Sequence, residues 1–210
     1  MLLDERLKRG LETLQLPHDD VTVAKLTQYA SLLKKWGKTY NLTALLNDED
    51  ILTHHLLDTA AFVTFFNQRI IGCKNVLDVG SGGGLPAVPL AIFRPDIEVV
   101  ALDAVAKKTA FIQQVAIELG LKNLNVQHSR VELYQGSFDV VTSRAFSSLK
   151  DFLSLTGHLL DKDGSWLALK GAYPLEELKN LPTSVSYKVE PISVPYLNES
   201  RHIVVIKNLK

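Results

Sequence analysis

Asp78, Gly80, Gly82 and Gly84 stand at every second position in VLDVGSGGGLPAVPL, which places four glycines within five residues between two apolar segments. Glycines this dense serve a backbone that turns sharply or lets a ligand come close. Three kinds of ligand compete. A P-loop needs Gly-x-x-x-x-Gly-Lys-Ser/Thr, and no lysine follows these glycines. A dinucleotide fingerprint is met by Gly82, Gly84 and Ala87, with Asp103 downstream; an Asp-x-Gly-x-Gly-x-Gly pattern is met by Asp78, Gly80, Gly82 and Gly84. Asp78 weighs between the last two. A pyrophosphate about 5 Å from its carboxylate would be repelled by roughly 3 kcal/mol per charge at an effective dielectric near 20. S-adenosylmethionine carries a sulfonium and an ammonium and no phosphate, so the carboxylate favours the methyl donor. Asp103 ends the next apolar run, where an acid can accept both ribose hydroxyls. The alternative reading makes Asp103 the cap of the following helix.

These residues need a sheet to hold them. After residue 72, β-branched runs (NVLDV, IEVVALD, NLNVQHS, FDVVTS, SWLALK) alternate with helical stretches. That pattern predicts βαβ units around a parallel sheet covered on both faces. The tail is different: SVSYKVEPISV and RHIVVIKN are too close together for a helical crossover and are expected to pair antiparallel at the sheet edge. Before residue 72 the spacing is helical, with Leu26, Tyr29, Ala30, Leu33, Trp36 and Tyr40 on one face. Asp19 and Asp20 lie in the break before that helix, and Asn47 begins the next. The expected fold is therefore α/β: a Rossmann-like class I methyltransferase sheet (73–210) with an antiparallel C-terminal hairpin and an N-terminal helical cap (1–72).

Ligands on such sheets gather at the carboxyl ends of the strands. Arg130, Arg144 and Lys170 follow strands three, four and five, and Arg201 begins the last, reversed strand. They are expected to converge into a positive rim suited to a nucleic-acid backbone, although 23 basic and 23 acidic side chains leave the chain neutral overall. The competing reading pairs each with an acid such as Glu132 or Asp151. The basic segment around Lys34, Lys35 and Lys38 reads mainly as a solvated face behind a core-facing Trp36 and Tyr40.

Absences narrow the chemistry. Pyrimidine C5 methylation wants a thiolate at the site, and the single cysteine, Cys73, precedes the first strand. Amine methylation is usually marked by Asp/Asn-Pro-Pro-aromatic after strand four, where SRAF stands; ribose methylation would place an acid where Ser143 is. A ring nitrogen with a free lone pair needs no general base, so no catalytic side chain is assigned and positioning supplies the rate. His54 and His55 lack partners at metal-ligand spacing, and no metal is expected. A lone cysteine, a charged start without an apolar leader and no apolar run of about 18 residues point to a cytoplasmic protein outside membranes.

Together KKWGKTYNLTALLNDEDILTHHLLDT, VLDVGSGGGLPAVPLAI, SRVE, SRAFSSLKDF, LALKG and RHIVVIK resemble the bacterial ribosomal RNA small subunit methyltransferase G family, also called glucose-inhibited division protein B. The resemblance spans nearly the whole chain, departing where Leu85 and Ala87 stand in place of the family's usual phenylalanine and glycine. It implies an S-adenosylmethionine-dependent enzyme forming N7-methylguanosine in a decoding-region loop of 16S rRNA. By resemblance the donor site falls on Gly80, Leu85, Val131, Glu132 and Arg144, with Asp103 on the ribose and Val131 and Glu132 flanking adenine. Arg130, Arg144 and Arg201 would lie near the RNA. A monomer is expected, with no protein partner.

Overall fold

The computed structural model describes residues 3–144, 146 and 148–209. Helix α1 (Leu3–Thr13) leads into α2 (Asp20–Tyr40), whose first turn is capped by Asp19 accepting from the Val21 and Thr22 amides. The face read from the sequence is the one that packs: Leu26, Tyr29, Ala30 and Leu33 are buried, with Trp36 and Tyr40 half-buried at its end. Asn47 caps α3 (Asp48–Asp50) through the Asp50 amide. The chain then runs through a π-helical turn, Ile51–Leu57, into α4 (Asp58–Arg69).

That π turn departs from the ordinary helix the sequence pattern predicts. Six of its seven residues are buried. A Cβ at Gly10 of α1 would lie 2.6 Å from Leu57 Cδ2, so the glycine is what lets α1 lie against the turn.

Seven strands form one sheet: β1 (Asn75–Val79), β2 (Glu98–Asp103), β3 (Leu124–His128), β4 (Phe138–Ser143), β5 (Leu160–Lys170), β6 (Val185–Ile192) and β7 (Arg201–Asn208). Their order is β3-β2-β1-β4-β5-β7-β6. The first five are parallel, and β7 runs antiparallel between β5 and β6. The expected terminal hairpin is there, with its second strand inside and its first at the edge. Strand β5 starts earlier than SWLALK suggests, because its amino-terminal half extends through residues 160–164.

Apolar residues cover both faces. Val76, Val99, Ala101, Val140, Leu167 and Ile203 face the layer holding α2, α4, α5 (Ala87–Phe93) and α6 (Ala106–Glu118). Leu77, Val100, Leu102, Val141, Ala168 and Val204 face α7 (Leu149–Thr156) and α8 (Leu175–Lys179). Side chains alternate along a strand, so Asp78 falls on the side of Val76, against the first layer. The strand order reverses direction between β1 and β4, and the glycine loop leaves β1 at that point. Among the described residues no helix is long and apolar enough to cross a membrane.

Candidate functional site

Gly80, Gly82 and Gly84 have φ of +72°, +58° and +88°. These are the three glycines of the Asp-x-Gly-x-Gly-x-Gly pattern, each in the region that side chains avoid. Ala87 is the first residue of α5, where a side chain is no burden. The loop is fastened from three sides. The Gly80 and Ser81 amides donate to the Leu102 carbonyl of β2 at 2.8 and 3.2 Å. Asp103 accepts from the Gly82 amide through Oδ2 and from the Val105 amide through Oδ1, both at 2.9 Å. From the helical layer, the buried Tyr29 hydroxyl donates to the Gly83 carbonyl at 2.6 Å.

A cleft of about 280 Å³ opens beside the loop, lined by Val79, Gly80, Leu102, Asp103, Ala104, Ser129, Arg130, Val131, Glu132 and Phe146. A Cβ at Gly80 would meet nothing within 4 Å, so the backbone itself forms an open cradle. Asp103, its carboxylate held rigid by two amides, stands on the same wall with acceptor capacity to spare. This donor set fits the adenosine half of S-adenosylmethionine: a carboxylate for ribose hydroxyls, a β-branched side chain for an adenine face, and no lysine where a phosphate would want one.

Gly80, Asp103, Val131 and Glu132 thus come together as expected, and Gly82 joins them through its amide on Asp103. Three other residues are placed differently. Leu85 is buried under the loop. Arg144 lines a neighbouring cleft. Asp78 is fully buried; Oδ2 accepts weakly from the Ala87 amide at 3.3 Å, and Oδ1 has no hydrogen-bond partner among the described residues. Burial pushes its carboxyl up to about 7 despite Ser81, the Ala87 amide and Arg144 pulling the other way. Asp78 therefore braces the loop from behind and carries only a partial charge near neutral pH, which weakens the repulsion argument drawn from the sequence.

The neighbouring cleft, about 470 Å³, is lined by Thr43, Ala44, Leu45, His54, His55, Asp58, Arg144, Leu169, Lys170, Gly171, Ile192, Arg201 and His202. Arg144, Lys170 and Arg201 converge here from the ends of β4 and β5 and the start of β7. Arg130 does not join them; it lies exposed on the first cleft. The rim is also less bare than its composition suggests. Arg144 Nη1 donates to the His54 carbonyl at 2.9 Å and lies 3.5 Å from Asp58 Oδ2. Arg201 Nε donates to Asp58 Oδ1 at 3.1 Å, and its Nη1 to Glu199 at 3.0 Å. Lys170 donates to Glu177 at 2.8 Å. The partners are Asp58, Glu199 and Glu177, whereas the sequence pointed to Glu132 or Asp151.

His55 is buried with Nε2 at 3.0 Å from both the Leu45 carbonyl and the Thr43 hydroxyl. A carbonyl only accepts, so Nε2 carries the proton. Burial, reinforced by Arg144, holds the imidazole pKa below its usual value and the ring neutral. Among the described residues no group of three His, Cys, Asp or Glu is placed to hold a metal. Cys73 lies before β1, with its thiol pushed up to about 11, chiefly by burial.

Sequence reasoning gave no role to Asp58 and read Tyr29 only as core. The signal for Asp58 was present: a lone carboxylate inside the apolar run LLDTAAF. Tyr29 carried none, since its hydroxyl partner lies 54 residues away.

The family model described as rRNA small subunit methyltransferase G matches residues 22–204. The "Ribosomal RNA small subunit methyltransferase G" of Neisseria meningitidis serogroup C is 48% identical over 204 residues, covering 96% of this chain and 97% of its own. That of Chromobacterium violaceum is 47% identical over 201 residues, 94% of each chain. Among solved structures, a ribosomal protein L11 methylase from Lactobacillus delbrueckii subsp. bulgaricus superposes with a TM-score of 0.59 at 16% identity, over 73% of this chain and 79% of that one. That last likeness is one of fold, the class I methyltransferase sheet. With its motif glycines and near full-length match, the chain belongs to the rRNA small subunit methyltransferase G family of S-adenosylmethionine-dependent enzymes.

Proposed function

We propose that this protein methylates N7 of a guanine in a decoding-region loop of 16S rRNA, with the smaller cleft taking the donor and the larger one the acceptor. The observation that carries the reading is Asp103, fixed by the Gly82 and Val105 amides on the wall of a cleft that the glycine loop leaves open. The stretch after β4 supports the pairing of clefts, since Arg144 lines one and Phe146 the other.

S-adenosylmethionine supplies an electrophilic methyl group on a sulfonium. Gly80, Asp103, Val131 and Glu132 would hold its nucleoside half. Guanine N7 carries an in-plane lone pair and no proton, so the chain has only to bind, orient and exclude water. Neutral His55, which donates to Leu45, is not asked to remove a proton. Arg144, Lys170 and Arg201 supply the charge for RNA phosphates, with Arg130 at the mouth of the donor cleft. Residues 1–72 act as a helical cap on the catalytic unit 73–210, and the protein works as a cytoplasmic monomer.

Calorimetry and methyl transfer test this together. S-adenosylmethionine should bind and NAD(H) should not, and labelled methyl should pass to 16S rRNA, as naked RNA or in a small-subunit particle. Binding of NAD(H) without S-adenosylmethionine would favour an oxidoreductase and overturn the reading. Tight RNA binding without transfer would leave an RNA-binding module.

A further inference from the structure

We propose that Asp58 is a positioning residue of the acceptor cleft, its buried carboxylate holding Arg144 and Arg201 together where an RNA phosphate is received. This rests on the reading of the larger cleft as the RNA site. The two arginines are 57 positions apart, Arg144 just past the end of β4 and Arg201 at the start of β7. One Asp58 oxygen meets each of them, Oδ2 at 3.5 Å from Arg144 and Oδ1 at 3.1 Å from Arg201. Asp58 is 6% exposed, at the end of the π-helical turn. That same turn gives Arg144 a second anchor, the His54 carbonyl. One stretch of the cap thus fixes both guanidiniums, which would otherwise repel each other.

The charges argue for more than a structural clamp. Asp58 balances one of the two arginine charges and Glu199 the other, so displacing Glu199 would leave one positive charge in the cleft for the incoming anion. The other acid on Arg201, Glu199, is exposed and open to replacement by a phosphate; Asp58 is not.

The test is methyl transfer to 16S rRNA by the full-length protein, with donor affinity measured by calorimetry. Asp58→Asn should raise the RNA KM at least tenfold, while donor Kd stays within twofold. The slope of log RNA affinity against log salt should become shallower by about the contribution of one phosphate contact. Asp58→Glu, which keeps the charge, should fall between wild type and the Asn variant. Adding Arg201→Gln to Asp58→Asn should cost less than threefold more, because both changes disable one device. An unchanged RNA KM, a parallel loss of donor and RNA affinity, or fully multiplicative effects would overturn the proposal. If the Asn variant does not fold, the Glu variant decides: its RNA KM should rise about threefold at constant donor Kd, and an unchanged KM overturns the role. The wild-type arm keeps the claims apart. No transfer to RNA by wild type refutes the proposed function, whereas transfer with unaltered KM in the Asp58 variants refutes only the role of Asp58.

Discussion

Replacing Asp78 by asparagine isolates the electrostatic cost of a carboxyl sealed behind the glycine loop. In the unfolded chain this group titrates near its ordinary 3.8; in the folded protein burial lifts it to about 7. The folded state therefore binds the proton more tightly. Its contribution to stability is fully present below pH 4 and is lost as pH rises through about 7. A gap of about 3 pKa units corresponds to about 4 kcal/mol in total, with about 3 kcal/mol of it falling between pH 4.5 and 8. Full burial leaves no solvent screening to discount. Asparagine keeps the shape and can accept from the Ala87 amide, but does not titrate. The stability of Asp78→Asn relative to wild type should therefore climb by about 3 kcal/mol over that range, by roughly 1.4 kcal/mol per pH unit in mid-range and flattening above 7. Urea unfolding of both proteins at pH 4.5, 5.5, 6.5 and 8, at fixed ionic strength, reads the difference and cancels every other titrating group. A flat difference, or one that turns against the variant as pH rises, would mean that the loop holds Asp78 ionised.

Three further outcomes follow from the geometry. Asp103→Ala removes the acceptor for two amides and the proposed ribose contact; at about 1.5–3 kcal/mol for a hydrogen bond to a charged group, calorimetry should find donor Kd raised by about one to two orders of magnitude. Tyr29→Phe leaves the Gly83 carbonyl without its donor; unfolding should register a loss of about 1–3 kcal/mol, accompanied by weaker donor binding because the loop loses its support from the cap. Arg201→Ala should weaken RNA binding and flatten its salt dependence by about one unit of slope, and an RNA affinity unchanged across a salt titration would refute the role of the rim.

The strands were legible because alternating and continuous apolar runs report directly on a sheet buried from both sides. The reversed tail strand was legible because too few residues separate it from its neighbour for a crossover. Asp19 and Asn47 act locally and could be read as caps from their own neighbours. Alternation also carried information about Asp78 that a charge argument overrode: it shares a face with Val76, and that face is core. What could not be read depends on contacts remote in sequence. Arg144 and Arg201 meet Asp58 across 86 and 143 positions, so convergence at one sheet edge was visible while the acid between them was not. The π turn packs against α1 where Gly10 meets Leu57, a contact remote in sequence that no local pattern encodes.

The central claim is that the two clefts deliver a methyl group to guanine N7 of small-subunit rRNA. Nucleoside mass spectrometry of 16S rRNA from cells lacking this protein tests it directly. The account predicts that one N7-methylguanosine disappears, returns with the wild-type gene and returns poorly or not at all with Asp103→Ala. An unchanged N7-methylguanosine content, or the loss of a different modified nucleoside, would contradict it.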